Sequence, residues 1–267
     1  MTARARSLRL GVAMASSTSV VLESLVDLYP HALRPRLAAD VRRQRFQVDM
    51  VRALAPGGRL VDIGGGVASF AAACAALGMD ATVVDDFSDP INAQHGADAL
   101  KAHQRYGVSI VDRDVIDGGL GMAPGSVDVI TTFDSMEHWH HSPKRLFAEV
   151  MAVLRPGGWF LLGVPNAVNI RKRLTVPFGK GKWSQMVDWY EQPVFRGHVR
   201  EPDVEDLHYI ADDMALENPS VFGRNWLGYR SKNAVVRRLT PLIDGALQHA
   251  PGLCSDIYLL GQRPHRA

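Results

Sequence analysis

The sequence predicts a doubly wound α/β fold built on a mainly parallel, seven-stranded sheet. Short apolar or β-branched runs alternate with helical patterns along residues 46–262, and glycine or acidic residues stand where the first four runs end. Size agrees with this: 267 residues, 46% hydrophobic and 22% charged, can enclose one α/β core without compositional signs of disorder.

From Val20 to Leu54 the pattern is helical, with Val21, Leu25 and Leu28 sharing a face and a second run from Leu37 to Leu54. Residues 1–45 read as a helical N-terminal extension. A strand at Leu60–Ile63 leads into Gly64, Gly65 and Gly66, and an alanine-rich helix from Ser69 to Leu77 closes at Gly78. Further strands are predicted at Ala81–Val84, Val108–Val111 and Val127–Thr132. The next helix takes Ser142 as N-cap and Pro143 in its first turn, and stops at Arg155-Pro156-Gly157-Gly158 before a fifth strand at Trp159–Val164.

Periodicity lapses over residues 166–200, which read as a substrate-side lid inserted after strand five. A helix over Pro202–Met214, strands at Leu216–Phe222 and Asp256–Gly261, and a helix over Ala234–His249 broken or restarted at Pro241 complete the domain. Residues 263–267 are a tail. Ligands of such sheets bind beyond the carboxyl ends of the strands, so Gly64, Asp85, Asp114 and Asp134 are expected to converge on one crevice.

Charge and cysteines narrow the function classes. A net charge of +2 supplies no concentrated basic field, so nucleic acid is not an expected partner. Cys74 and Cys254 lie far apart without metal-ligand spacing and read as reduced packing residues. Arg4, Arg6 and Arg9 precede Ser16, Ser17, Thr18 and Ser19 rather than a long apolar run, and no stretch approaches the roughly 20 apolar residues that span a bilayer. The expectation is a cytoplasmic monomer or homodimer with no membrane partner.

A glycine loop after a strand lets a ligand approach the main chain near the donors of the following helix. Gly64, Gly66 and Ser69 also fit a relaxed dinucleotide pattern, including an acid about 20 residues later. Asp62 separates the two readings: its carboxylate repels a pyrophosphate and attracts the cationic α-amino group of S-adenosylmethionine, with a charge-assisted bond contributing about 1.5 to 3 kcal/mol.

The stretches Leu60-Val-Asp-Ile-Gly-Gly-Gly-Val-Ala-Ser69, Val83-Val-Asp85, Val127-Asp-Val-Ile-Thr-Thr-Phe-Asp-Ser-Met-Glu-His138 and Leu154-Arg-Pro-Gly-Gly-Trp-Phe-Leu161 resemble class I methyltransferases, which have a Rossmann-like fold. The resemblance implies that Asp62, Gly64 and Gly66, with Gly65 between them, hold the methionine moiety of S-adenosylmethionine. It also implies that Asp85 holds the ribose, with Asp86 as the alternative. Asp114, followed by Val115, takes the adenine amine, and Phe133 lines the pocket.

Methyl transfer from a sulfonium depends chiefly on positioning, and a base becomes useful when the acceptor is an aliphatic hydroxyl. His138, His140 and His141 crowd the loop after strand four, and His138 and His141 are the base candidates, with Glu137 beside them. Glu137-His138 also resembles a pair found in many class I methyltransferases of differing substrate. Asp134, Glu137 and a histidine form a weaker magnesium reading, because Pro165-Asn166 replaces the acid pair that metal-dependent relatives carry after strand five.

Gly197-His198-Val-Arg200-Glu201 resembles a segment of methyltransferases from bacterial polysaccharide and secondary-metabolite pathways, which brings in His198 and Arg200 as acceptor contacts. Trp183, Trp189 and Tyr190 offer an apolar floor, and Arg171, within the run Arg171 to Arg173, an anchor for a phosphate or carboxylate. The expected activity is O-methylation of a sugar or oligosaccharide hydroxyl. The alternatives are a phenol, quinone precursor or other small metabolite as acceptor, or a binding module without activity. Nucleic-acid methylation is disfavoured by the missing Asn/Asp-Pro-Pro-Tyr/Phe signature.

Overall fold

The computed structural model describes residues 17–88, 94–181, 184 and 186–265. Two compact units are present, one comprising Met1–Val115 with Ser126–Val129, the other Ile116–Gly125 with Ile130–Ala267. The seven strands run in the order β3-β2-β1-β4-β5-β7-β6, as expected for a doubly wound sheet. Strand β4 (Val127–Phe133) begins in the first unit and ends in the second.

In the first unit, helix α1 (17–26) and helix α2 (Arg34–Leu54) precede β1 (Arg59–Ile63). Helix α3 (Ser69–Ala76) then leads to β2 (Asp80–Asp85), α4 (Lys101–Arg105) and β3 (Ser109–Asp112). β1, β2 and β3 pair in parallel, with Ile63 opposite Val84 and Asp85 opposite Asp112, so their carboxyl ends lie level. Leu60, Val61, Ile63, Val83 and Val84 are fully buried, as strands with both faces covered require. Helix α2 departs from its sequence pattern: with Leu37, Val48 and Val51 it also buries the polar Asp40, Gln44 and Gln47.

In the second unit, α5 (Val115–Gly118), whose first residue belongs to the first unit, leads toward β4, α6 (Lys144–Val153) and β5 (Leu154–Pro165). Helix α6 begins one residue later than its punctuation predicts, with Pro143 in the cap position and Ser142 Oγ accepting weakly from Lys144 N at 3.4 Å. Strand β5 begins five residues earlier than expected. The Arg155–Gly158 turn sequence is drawn into the sheet because Gly157 N donates to Arg263 O and Arg263 N to Gly158 O, at 2.9 and 2.8 Å.

Helices α7 (Ile170–Thr175) and α8 (Met186–Tyr190) follow, then α9 (Val204–Asp213) with an aspartate capping box, and β6 (Glu217–Arg224). The chain closes through α10 (Trp226–Tyr229), α11 (Ala234–Leu247) and β7 (Asp256–Gln262), which pairs antiparallel with β5 and β6. Pro241 does not break α11. Only Thr240 and Asp244 of this helix are buried, and Thr240 Oγ1 donates to Val236 O at 2.7 Å one turn before the proline. Among the described residues no helix is long and apolar enough to cross a membrane.

Candidate active site

The first unit carries the glycine loop. Gly64 N donates to Val84 O at 2.9 Å, carrying the β1–β2 pairing one residue past the strand. Gly64 and Gly66 then adopt φ of 68° and 51°, a region closed to most side chains. Gly65 is held by space instead: a Cβ there would lie 2.2 Å from Asp62 Oδ2. The Asp62 carboxylate, 3% exposed, is therefore packed directly against the loop backbone.

Asp85 fastens the far side, one carboxylate oxygen accepting from Gly66 N at 2.9 Å and the other from Phe87 N at 2.7 Å. Asp86 is exposed and accepts from Ser88 N at 3.0 Å, a local turn bond, so of the two acids only Asp85 is tied to the loop. Asp114 is exposed at the mouth of α5 and Val115 beside it is buried. Behind the loop, Ser69 Oγ bonds Gln44 Oε1 of α2. His103 of α4 is fully buried, and burial pushes its pKa down to about 4 against a partly opposing contact with the Ala68 backbone. Neither ring nitrogen has a hydrogen bond of ordinary geometry, so the Ala68 contact is a weak one.

Buried carboxylate, approachable backbone and a second acid on the loop suit a ligand with a cationic amino group and ribose hydroxyls. A pyrophosphate on the same backbone would sit against Asp62. The residues present fit S-adenosylmethionine.

The second unit gathers a different set. Asp134, at φ 51°, ends β4 with its N–H on Gly163 O at 2.8 Å and turns the chain into a single 3₁₀ turn, Met136–His138. The carbonyl of Glu137 accepts from both Val199 N and Arg200 N, at 2.7 and 3.2 Å, clamping the Gly197–Glu201 segment to this turn. His138 and His198 consequently meet edge to face, 4.9 Å between ring centroids. His198 Nε2 lies 4.0 Å from Oε1 of Glu137, whose side chain is 1% exposed.

Each imidazole is oriented through Nδ1. His138 Nδ1 is 2.9 Å from Arg196 O, and a carbonyl only accepts, so this nitrogen carries the proton. His198 Nδ1 is 2.7 Å from Glu201 Oε1, and the other oxygen of Glu201 is ion-paired with Lys172. Burial pushes the Glu201 pKa up, but its bonds to His198 and Lys172 outweigh this and hold it below the ordinary range. Burial first, and then the neighbouring His198, push the His138 pKa down. Both rings thus hold Nε2 as a lone pair when neutral.

Of the residues singled out in the sequence, Glu137, His138 and His198 come together. His141 is exposed and outside this group. Arg200 contributes its backbone N–H, while its guanidinium bonds Asp206 at 2.9 Å to brace the start of α9. Arg171 and Tyr190 are exposed, and Trp183 lies outside the described residues. The basic run is spent internally, Lys172 on Glu201 and Arg173 on the carbonyls of Val168 and Gly252. Phe133 packs edge to face on Tyr258 at 6.0 Å, over Gly163, where a Cβ would meet both rings within 2.8 Å. Sequence reasoning missed Lys172 and Glu201 as supports of His198, and Gln44 and His103 as supports of the loop.

Sheet order, loop and strand-end acids define a class: the α/β methyltransferases that take S-adenosylmethionine as methyl donor. A profile for the methyltransferase domain matches residues 29–220, and this chain belongs to that family. It is similar to an uncharacterized methyltransferase of Mycobacterium sp. (strain JLS), 40% identical over 112 residues, covering 40% of this chain and 39% of that protein. It is also similar to the ubiquinone biosynthesis O-methyltransferase of Burkholderia thailandensis, 30% identical over 134 residues, covering 49% of this chain and 54% of that one. The chain thus spans about half the length, or less, of these curated relatives.

Among solved structures, a SAM-dependent methyltransferase of Thermotoga maritima superposes with TM-score 0.56 at 14% identity, covering 92% of this chain and 99% of that one. The 1,6-didemethyltoxoflavin-N1-methyltransferase of Burkholderia thailandensis, solved with bound 1,6-didemethyltoxoflavin and S-adenosylhomocysteine, gives TM-score 0.53 at 18% identity, covering 93% of this chain and 90% of that one. At these identities the likeness is one of fold.

Proposed function

We propose that this protein transfers the methyl group of S-adenosylmethionine to a hydroxyl oxygen of a small molecule, with a sugar or oligosaccharide hydroxyl as the preferred acceptor. The observation that carries this reading is the pair of oriented imidazoles beside the buried carboxylate of Glu137. An aliphatic hydroxyl has a pKa far above neutrality and must lose its proton as the new bond forms, so it gains strongly from such a group.

In this reading Asp62 binds the cofactor's ammonium group, the Gly64–Gly66 backbone its carboxylate end, Asp85 the ribose and Asp114 with Val115 the adenine. Phe133 contributes apolar surface. The acceptor oxygen attacks the methyl carbon in line, the carbon–sulfur bond breaks, and S-adenosylhomocysteine and a proton are released. The proton leaves through the Glu137–His138–His198 cluster, most simply to Nε2 of His138.

A phenol of the quinone-precursor type is the second reading, favoured by the name of the Burkholderia relative. The test is turnover of S-adenosylmethionine with a panel of mono- and oligosaccharides and phenols, with the methylated atom identified by mass spectrometry and NMR. A His138→Ala variant should lose about 100-fold or more in kcat on an aliphatic hydroxyl while its affinity for S-adenosylhomocysteine stays within twofold. Methylation at nitrogen or carbon, or undiminished turnover in that variant, overturns the proposal.

A further inference from the structure

We propose that Glu137, His138 and His198 form a binding site for one divalent transition-metal cation, of the zinc or manganese type rather than magnesium. The inference rests on the reading of this cluster as the acceptor site and deepens it. One donor atom from each residue lies within 4.8 Å of the others. On both rings the donor must be Nε2, because Nδ1 is committed, to the Arg196 carbonyl in His138 and to the Glu201 carboxylate in His198.

That commitment is the second observation. Histidines that ligate metals donate their other N–H to a carbonyl or carboxylate, which fixes the tautomer and aims the lone pair. Here one ring has each kind of partner. Glu201 is in turn held by Lys172, so the orienting group is itself anchored. A histidine that merely packs at a surface needs no such chain. The Glu137 carbonyl receiving Val199 N and Arg200 N fixes the distance between the two halves of the site, which are 60 residues apart in the chain (138 to 198).

The donor set decides the metal class. Two imidazoles and one carboxylate suit zinc, manganese, cobalt or iron in the divalent state, whereas magnesium prefers oxygen ligands and retained water. Asp134, which the magnesium reading required, is not one of the three. Ligands about 2.1 Å from a tetrahedral cation lie roughly 3.4 Å apart, so the side chains would close by about 1 Å on binding. Three protein ligands leave at least one position for an acceptor oxygen. A hydroxyl held there is acidified, and its proton passes to water rather than to His138.

The experiment uses the whole 267-residue chain stripped with chelator. Titration with cobalt(II), followed by visible absorption, and with zinc and manganese, followed by calorimetry, should show one equivalent bound, with magnesium far weaker. His198→Ala should abolish stoichiometric binding, and Glu201→Gln, which keeps all three ligands, should weaken it about 10- to 100-fold. No stoichiometric binding in the parent protein, or equal binding in both variants, overturns the site, and circular dichroism verifies that the variants are folded. Metal-free protein that methylates a hydroxyl at full rate overturns this inference and leaves the O-methyltransferase reading standing. Stoichiometric binding without methylation of any hydroxyl does the reverse.

Discussion

The glycine loop and the histidine cluster are built by opposite means. The loop is local: five residues between β1 and α3, closed from beneath by Asp62, from the side by Asp85 and from behind by α2 and α4. The cluster joins residues 60 apart in the chain, is half-exposed, and depends on two backbone hydrogen bonds and a chain of ionic contacts. A site formed by the backbone of one tight turn has almost no freedom to vary. One assembled from side chains on a separate segment can change its partner chemistry without disturbing the first. Such a division suits an enzyme that keeps one methyl donor while its acceptor differs between relatives.

The sharpest way to break the loop is Gly65→Ala. The added Cβ would stand 2.2 Å from Asp62 Oδ2, and Asp62 is too buried to swing away, so either the carboxylate or the loop must shift. Loss of a charge-assisted bond together with displaced backbone donors predicts a Kd for S-adenosylhomocysteine at least about 100-fold weaker by calorimetry. The cobalt site of the second unit should be unaffected. A Kd within threefold of the parent would mean that the loop yields more easily than its packing implies.

His103 tests the support behind the loop. Its folded pKa of about 4 lies below the ordinary 6.5, so the neutral ring is the stable form and the unfolded chain binds more protons between those values. Stability from this residue is therefore intact above about pH 6.5 and lost as pH falls toward 4, by up to about 3 kcal/mol, of which about 2 falls between pH 7 and pH 5. Replacing it by a group that cannot titrate, His103→Gln, should flatten the fall in melting temperature over that interval. Parallel pH profiles for the two proteins would remove His103 from the account.

Much of this was legible in the sequence, and the exceptions share a cause. β1, β2 and β4 are mostly buried and read as short apolar or β-branched runs, and they and the more exposed β3 fall within one residue of their expected bounds. The position of Asp62 against the loop was legible because it stands two residues before Gly64, whereas Asp85, 19 residues beyond Gly66, was singled out by the resemblance of Val83-Val-Asp85 to class I methyltransferases. Helix α2 hid its inner face because Asp40, Gln44 and Gln47 are polar, and a search for apolar periodicity passes over them. The pairing of Lys172 with Glu201 leaves no periodic mark, since its partners meet only after two segments fold together. Pro241 misled for a related reason: how much an interior proline costs depends on the surroundings of the helix, here mostly exposed, which sequence does not state.

His141 gives the smallest expected effect and the cleanest contrast between residue type and placement. It has the same side chain as His138 and stands three positions later in the same loop, so composition and spacing rank the two alike. What separates them is the 3₁₀ turn that ends at His138, beyond which Trp139 leaves in an extended conformation and turns its indole Nε1 toward Ser135 Oγ at 3.1 Å. The chain then runs out to solvent, His140 and His141 are exposed, and neither belongs to the group formed by Glu137, His138 and His198. His141→Ala should accordingly leave kcat, kcat/KM and cobalt affinity within about twofold, in the range of ordinary surface substitutions. A tenfold fall in kcat with unchanged cofactor affinity would return His141 to the acceptor site, and would mean that the loop after His138 folds inward when the acceptor binds.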